Sequence, residues 1–267
     1  MLELKRVSKS YGEQNVLKDI SMYVKKGEVV GIVGLNGAGK STLMRSISGA
    51  TKVDCGSICL EGKNLNKKVK NKVSFLSTSY NLYGELSVKE NLEIFRKIYG
   101  ATDREYNDVI RKLDIGSFLE KSVSSLSTGM RKRAEIASVT MHDFSLLLLD
   151  EPTNGLDIEA KEVVINYINS ISKASNAIIV TSHNTKDIER LCNRIYVLRE
   201  GCIVKDTTVG EMIGEAEDNN KMWMITVKDD IGVREIIRVN HLKRRVVGEN
   251  VEILVRDSEK KQVVNQL

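Results

Sequence analysis

One proline, four cysteines and three histidines occur in 267 residues, and these scarcities already remove several classes of function. Cys55, Cys59, Cys192 and Cys202 form no CxxC pair and have no histidine at a metal-ligand spacing, so they read as buried free thiols. A metal or redox role for them has no support. The single proline, Pro152, stands just after an acidic strand end, where it interrupts no ladder. Long hydrophobic runs are missing too: the longest aliphatic stretch, Leu146 to Leu149, is far short of the roughly 20 residues that cross a bilayer. The opening residues MLELKRVSKSYG alternate like a strand and lack the apolar core of a secretory signal, so a cytosolic chain is expected. Charge of one sign does not dominate. Lys+Arg 41 against Asp+Glu 36 gives a net +5 spread over mixed runs, and no nucleic-acid partner is expected from it.

What is present fits a globular protein. An apolar fraction of 41% and a charged fraction of 29% exclude disorder, collagen and coiled coil, and the length allows one large domain with or without a small appendage. Strand-like segments LELKRVS, VLKDISMYV and EVVGIVG come first, and the last runs into a glycine-rich turn, Gly34 to Gly39, with a helix-compatible stretch after it that Gly49 stops. Cys55 to Leu76 reads as short strands with polar turns, and about 85–142 as mostly helical. The runs FSLLLLDE and NAIIVTSH are apolar without alternation, which predicts strands covered on both faces in an α/β fold with a mostly parallel sheet between helices. A helix (KDIERLCN) and a strand pair (IYVLRE, GCIVKDT) close the main domain near 215; EAEDNNK at 215–221 reads as a linker. Beyond it, a strand, a helix and one or two further strands make a small unit that is marginal for independent folding.

The chemistry is concentrated in Gly34-Leu-Asn-Gly-Ala-Gly39-Lys40-Ser41-Thr42, which matches GxxxxGK[ST] in full. Its glycines let successive N–H groups and the following helix terminus face phosphate oxygens. Lys40 is placed to neutralise the β- and γ-phosphates, and the Ser41 hydroxyl to ligate Mg²⁺. Asp150 ends the run LLLLD at the carboxyl edge of a buried strand, where open α/β sheets bind ligands, and is the expected acid on the far side of the ion. Glu151, next in the chain, is the candidate for activating water. A lone histidine is usually structural, but His183 occupies the equivalent strand end, where a γ-phosphate could be sensed. Tyr11 could stack on an adenine ring; on the residues alone that reading stands beside an ordinary surface tyrosine.

Over residues 1–215 the chain resembles the ATP-binding subunit of an ABC transporter. Residues 34–42 match Walker A, Leu146 to Asp150 with Glu151 match Walker B, and Leu126-Ser127-Thr128-Gly129-Met130 resembles the LSGGQ signature. Gly155-Leu156-Asp157 resembles the D-loop, His183 the switch histidine and Tyr11 the adenine-stacking aromatic. The resemblance implies a P-loop NTPase of ABC type with an N-terminal antiparallel β subdomain and a helical subdomain at about 85–142. It implies ATP and Mg²⁺ as ligands, with Gly34, Asn36, Gly37, Ala38, Gly39, Lys40, Ser41 and Thr42 around the nucleotide. It also implies a head-to-tail homodimer or heterodimer, in which Ser127, Gly129 and Asp157 of one copy reach the nucleotide of the other. Membrane-spanning permease subunits would hold the chain against the inner face of the membrane.

One position departs from the family pattern. The Q-loop glutamine aligns with Thr78, whose hydroxyl can ligate the ion without the reach of glutamine, and either slower hydrolysis or an altered coupling geometry is expected, with ATPase activity reduced rather than absent. The neighbouring Tyr80, Leu82, Tyr83 and Leu86 are expected as permease contacts. Among such systems the chain looks most like exporters of sodium, antibiotics or lantibiotics. Alternatives are a soluble ATPase in translation or DNA repair, and a regulatory subunit with weak catalysis.

Overall fold

The computed structural model describes residues 1–79, 82–172, 176–212, 222–228, 231–239, 242–247 and 250–266. The chain divides into two compact units, Met1–Val209 and Gly210–Leu267. The linker expected at 215–221 lies outside the described residues.

In the first unit, β1 (Leu2–Tyr11) and β2 (Gln14–Val24) pair antiparallel, and β1 also pairs antiparallel with β4 (Cys55–Leu60), which carries the two-residue β5 (Lys63–Asn64) at its edge. These strands turn Leu2, Leu4, Ile58 and Leu60 inward, as their alternation predicts, and Val7 inward after a register shift that follows Leu4. The second sheet holds the site. It is six-stranded, in the order β10-β9-β3-β8-β7-β6, from β3 (Val29–Val33), β6 (Val73–Leu76), β7 (Leu146–Asp150), β8 (Ala177–Thr181), β9 (Arg194–Arg199) and β10 (Cys202–Thr208). All its pairings are parallel except β9 with β10. Every residue of β7 and β8 is buried, which accounts for their unbroken hydrophobicity.

Helix α1 (Lys40–Ser48) presents Leu43, Met44 and Ile47 to the core shared with both sheets. After the short α2 (Lys67–Lys70) and β6 comes the helical region: α3 (Val88–Tyr99), α4 (Asp103–Lys112) and α5 (Thr128–Thr140). The first two open on capping boxes, Ser87 with Glu90 and Thr102 with Glu105. α6 (Ile158–Ser172) and α7 (Thr185–Leu191) complete the unit.

The second unit runs β11 (Met222–Lys228), α8 (Ile231–Val239), β12 (Lys243–Val247), β13 (Asn250–Arg256) and α9 (Asp257–Gln266). Its antiparallel sheet, ordered β11-β13-β12, shares a core of Val233, Ile237, Val251, Ile253, Val255 and Val263. The closing helix is an addition to the sequence expectation; DSEKKQVVNQ is too polar to display a helical apolar stripe. The thiols also differ from expectation. Cys192 alone is buried, its pKa pushed up to about 12 by desolvation, whereas Cys55 is exposed and Cys59 and Cys202 are half-buried on strands that alternate faces.

Candidate functional site

Because the sheet runs β3-β8-β7-β6, four chain segments leave its carboxyl edge side by side: the glycine-rich loop, the 181–184 segment, Glu151 and the loop carrying Thr78. In the loop, Gly39 caps α1 at φ 105°, a conformation that side chains rarely adopt. Gly34 lies so close to β9 that an added Cβ would meet Leu198 O at 2.2 Å. Lys40 is buried, and its Nζ donates to Gly34 O at 2.7 Å and Leu35 O at 3.2 Å, so the loop's own carbonyls satisfy the ammonium.

At the end of β7, Asp150 is 2% exposed. Its Oδ1 accepts from Thr181 Oγ1 at 2.5 Å, while Oδ2 is buried with no hydrogen-bond partner among the described residues. Glu151 then adopts φ 54°, a left-handed kink that sends the two adjacent carboxylates in different directions. The Glu151 N–H donates to Thr181 Oγ1 at 3.0 Å and to Thr181 O at 3.2 Å. Its Oε2 lies 2.8 Å from His183 Nδ1, so the two residues selected separately from the sequence are in direct contact.

A cavity of about 480 Å³ collects these groups. Asn36, Gly37, Gly39, Lys40, Ser41 and Thr42 line it from the loop, and Thr78, Asp150, Glu151 and His183 from the neighbouring strand ends. Val16 and Asn154 also line it and were missed, as was Thr181. The available signal for Thr181 was a hydroxyl closing the otherwise apolar run AIIVT beside His183.

Other expected site residues lie elsewhere. Ala38 is buried in the core, and Gly34 lies against β9. Tyr11 is 49% exposed with Lys9 Nζ 5.3 Å from its ring centroid, and it does not line the cavity. Ser127, Gly129 and Asp157 do not line it either. Ser127 caps α5, its Oγ accepting from Met130 N at 3.3 Å, and Asp157 Oδ1 accepts from Ala160 N at 2.8 Å in the first turn of α6. In the segment expected to meet a permease, Tyr80 lies outside the described residues. Leu82 corrects the expectation: at 6% exposure it is core, whereas Tyr83 is 61% exposed and Leu86 half-buried. Fully buried Asn91 brackets that segment, accepting from Tyr83 N at 2.8 Å and donating to Tyr83 O at 3.0 Å and Ser87 O at 2.9 Å.

The donors around the cavity suit a hard divalent cation. A buried carboxylate oxygen without a partner among the described residues and the hydroxyls of Ser41 and Thr78 are the oxygen donors such an ion takes, and Mg²⁺ characteristically takes one or two carboxylates together with substrate phosphates.

A sequence profile for the ABC transporter family matches residues 17–154. The chain is similar to the ABC transporter ATP-binding protein YtrB of Bacillus subtilis, at 31% identity over 100% of this chain and 91% of the relative. It is 37% identical to the Nod factor export ATP-binding protein I of Rhizobium leguminosarum bv. viciae, over 75% of this chain and 67% of the relative. A solved dimeric bacterial ABC transporter cassette superposes with a TM-score of 0.71 at 25% identity, covering 78% of this chain and 99% of the other. With the phosphate loop, the strand-end carboxylates and the facing histidine gathered in one cavity, the chain belongs to the ABC transporter family, as an ATP-binding and ATP-hydrolysing subunit.

Proposed function

We propose that this subunit energises export through separate membrane-spanning subunits, closing on a second ATP-binding subunit when ATP is bound and opening after hydrolysis. The observation that carries the reading is the composition of the cavity: the phosphate loop, Asp150, Glu151 and His183 line it, and Ser127 and Gly129 of the same chain do not. In a head-to-tail pair the partner's α5 terminus brings its N–H groups and dipole to the γ-phosphate. Export is favoured by the similarity to a Nod factor export protein. A cytoplasmic position against the inner membrane face, with the permease contacting the Thr78–Leu86 segment, fits a chain in which no helix among the described residues is long and apolar enough to cross a membrane. Exposed Tyr83 is the natural anchor there. Residues 1–215 form the nucleotide-binding domain in this reading, with its helical subdomain at 85–142, and 216–267 a C-terminal extension.

Within the site, the backbone of Asn36, Gly37, Ala38 and Gly39 cradles phosphate oxygens, and Lys40 neutralises their charge. Asp150, Ser41 and Thr78 would hold Mg²⁺, which when bound offsets the negative charge of the β- and γ-phosphates. Glu151 takes the proton of the attacking water, and His183 holds that carboxylate at 2.8 Å while facing the γ-phosphate. Tyr11 stacks on the adenine, and Asp157 carries contact across the pair. The test is Glu151→Gln: the variant is expected to bind Mg·ATP and accumulate as a dimer with little turnover. Sizing chromatography showing only monomer at saturating Mg·ATP, or turnover at the wild-type rate, would overturn the reading.

A further inference from the structure

Beyond β7 and β8 the chain continues as two neighbouring segments, 150–154 and 181–187, tied together at three levels. Thr181 Oγ1 holds Asp150 and the Glu151 N–H; Glu151 Oε2 meets His183 Nδ1; and Thr153 Oγ1 donates to Asp187 Oδ2 at 2.7 Å. The third contact lies outside the cavity and has no part in the chemistry assigned above. Thr153 is 3% exposed and Asp187 4%. The same Asp187 oxygen accepts from Lys161 Nζ of α6 at 3.2 Å, so the buried carboxylate has both a hydroxyl and a cation. Desolvating a carboxylate costs free energy that an apolar pair of similar shape would avoid, so such a contact is weak evidence for stability alone.

We infer that Asp187 is a positioning residue for hydrolysis. It fastens Thr153, two residues beyond Glu151, to α7, four residues beyond His183, and thereby fixes the spacing at which the carboxylate and the imidazole meet. Through Lys161 it fastens the first turn of α6 as well, the turn whose N-terminus Asp157 caps. Glu151 reaches its place through a left-handed kink, and without the clamp the segment following that kink has lost its buried tie to α7. Displacements of about 1 Å near reacting groups cost on the order of 100-fold in rate. The inference rests on Glu151 and His183 acting in hydrolysis.

The test uses the full-length chain. Thr153→Val removes the donor with almost no change in volume, Thr153→Ser keeps it, and Asp187→Ala removes the acceptor. In Thr153→Val and Asp187→Ala, kcat is expected to fall about tenfold or more while KM for ATP stays within about twofold, because the phosphate loop is untouched. Thr153→Ser is expected to retain the wild-type kcat. The double variant should lose no more than the worse single variant, as two halves of one contact do. A lowered unfolding midpoint with wild-type kcat below that midpoint would assign the contact to stability alone and overturn the inference; so would a Thr153→Ser loss equal to that of Thr153→Val. If Asp187→Ala does not fold, the comparison of Thr153→Val with Thr153→Ser decides the matter. Lost turnover in Glu151→Gln beside unchanged turnover in Thr153→Val removes the clamp and leaves the site assignment standing. Unchanged turnover in Glu151→Gln removes the assignment itself.

Discussion

Replacing Thr181 by valine deletes one hydroxyl and little else, since the two side chains are close in shape. That hydroxyl donates to Asp150 Oδ1 at 2.5 Å, and Oδ2 has no partner among the described residues. The variant therefore leaves a carboxylate that is 2% exposed without a hydrogen bond on either oxygen among the described residues. A hydrogen bond to a charged group contributes about 1.5–3 kcal/mol, and the desolvation of a charge left unpaired is at the upper end of such losses. The Glu151 N–H keeps the Thr181 carbonyl at 3.2 Å, so the backbone side of the contact contributes little to the change. A loss of about 2 kcal/mol is expected, equivalent to about 4–8 °C in the melting midpoint for a domain of this size. A metal-binding carboxylate that loses its supporting partner costs about 10–100-fold in metal affinity or activity, so the Mg²⁺ concentration for half-maximal ATPase should rise by that order. Calorimetry without nucleotide and a Mg²⁺ titration of turnover measure the two effects separately. Thr181→Ser, which retains the hydroxyl, should restore both to near wild type. A valine variant that melts within about 1 °C of wild type with the same Mg²⁺ midpoint would refute the placement of Thr181 as the support of Asp150.

Lys40→Ala should weaken Mg·ATP binding and abolish turnover, checked by equilibrium binding and phosphate release; near-normal hydrolysis would remove Lys40 from the mechanism. Thr78→Gln should raise the turnover of the purified subunit, because the longer side chain reaches farther from the cavity wall where Thr78 stands; an unchanged or lower rate counts against a limiting Thr78. His142 supplies a pH prediction. Its ring stacks on Tyr99 with centroids 3.9 Å apart, its Nε2 is 3.1 Å from Ser74 Oγ, and burial holds its pKa below the usual 6.5. The unfolded chain takes up that proton first as pH falls, so stability present above the unfolded pKa is lost as pH drops through the folded one. Urea midpoints should fall as the pH drops below about 6.5, and fall less in His142→Phe; equal slopes would exclude His142 as a source.

The strand, turn and helix around the phosphate loop were legible because continuous hydrophobicity, glycine spacing and a helix stop coincide within about twenty residues of Val29–Gly49. Asp150, Glu151 and His183 were legible because each ends or follows an apolar run, and strand ends are where such sheets place chemistry. Thr181 was not, since its importance depends on lying opposite Asp150 in the parallel register, a pairing of positions 31 apart that no local pattern encodes. Asp187 and Thr153 are hidden for the same reason. Leu82 was misplaced because a leucine between tyrosines looks like part of an exposed apolar patch, whereas the turn held by Asn91 points it inward. The thiols were misjudged because cysteine composition predicts burial on average, and strands with one wet face put alternate residues outside.

The division of the site between elements has a thermodynamic consequence. In a single copy, Ser127 accepts from Met130 N at 3.3 Å and lies outside the cavity, which leaves the N–H groups of Thr128 and Gly129 as the donors that the start of α5 can offer an incoming acceptor. Such groups are costly to bury without an acceptor, and in the proposed pairing a second ATP-binding subunit approaching without nucleotide would desolvate them against a loop whose ammonium is already satisfied by Gly34 O and Leu35 O. In the proposed head-to-tail pair, phosphate oxygens would supply the acceptors that these N–H groups lack. A nucleotide held in this way would bind the closed pair better than either open copy, so in the proposed mechanism the closed fraction rises with its concentration and falls once the γ-phosphate leaves.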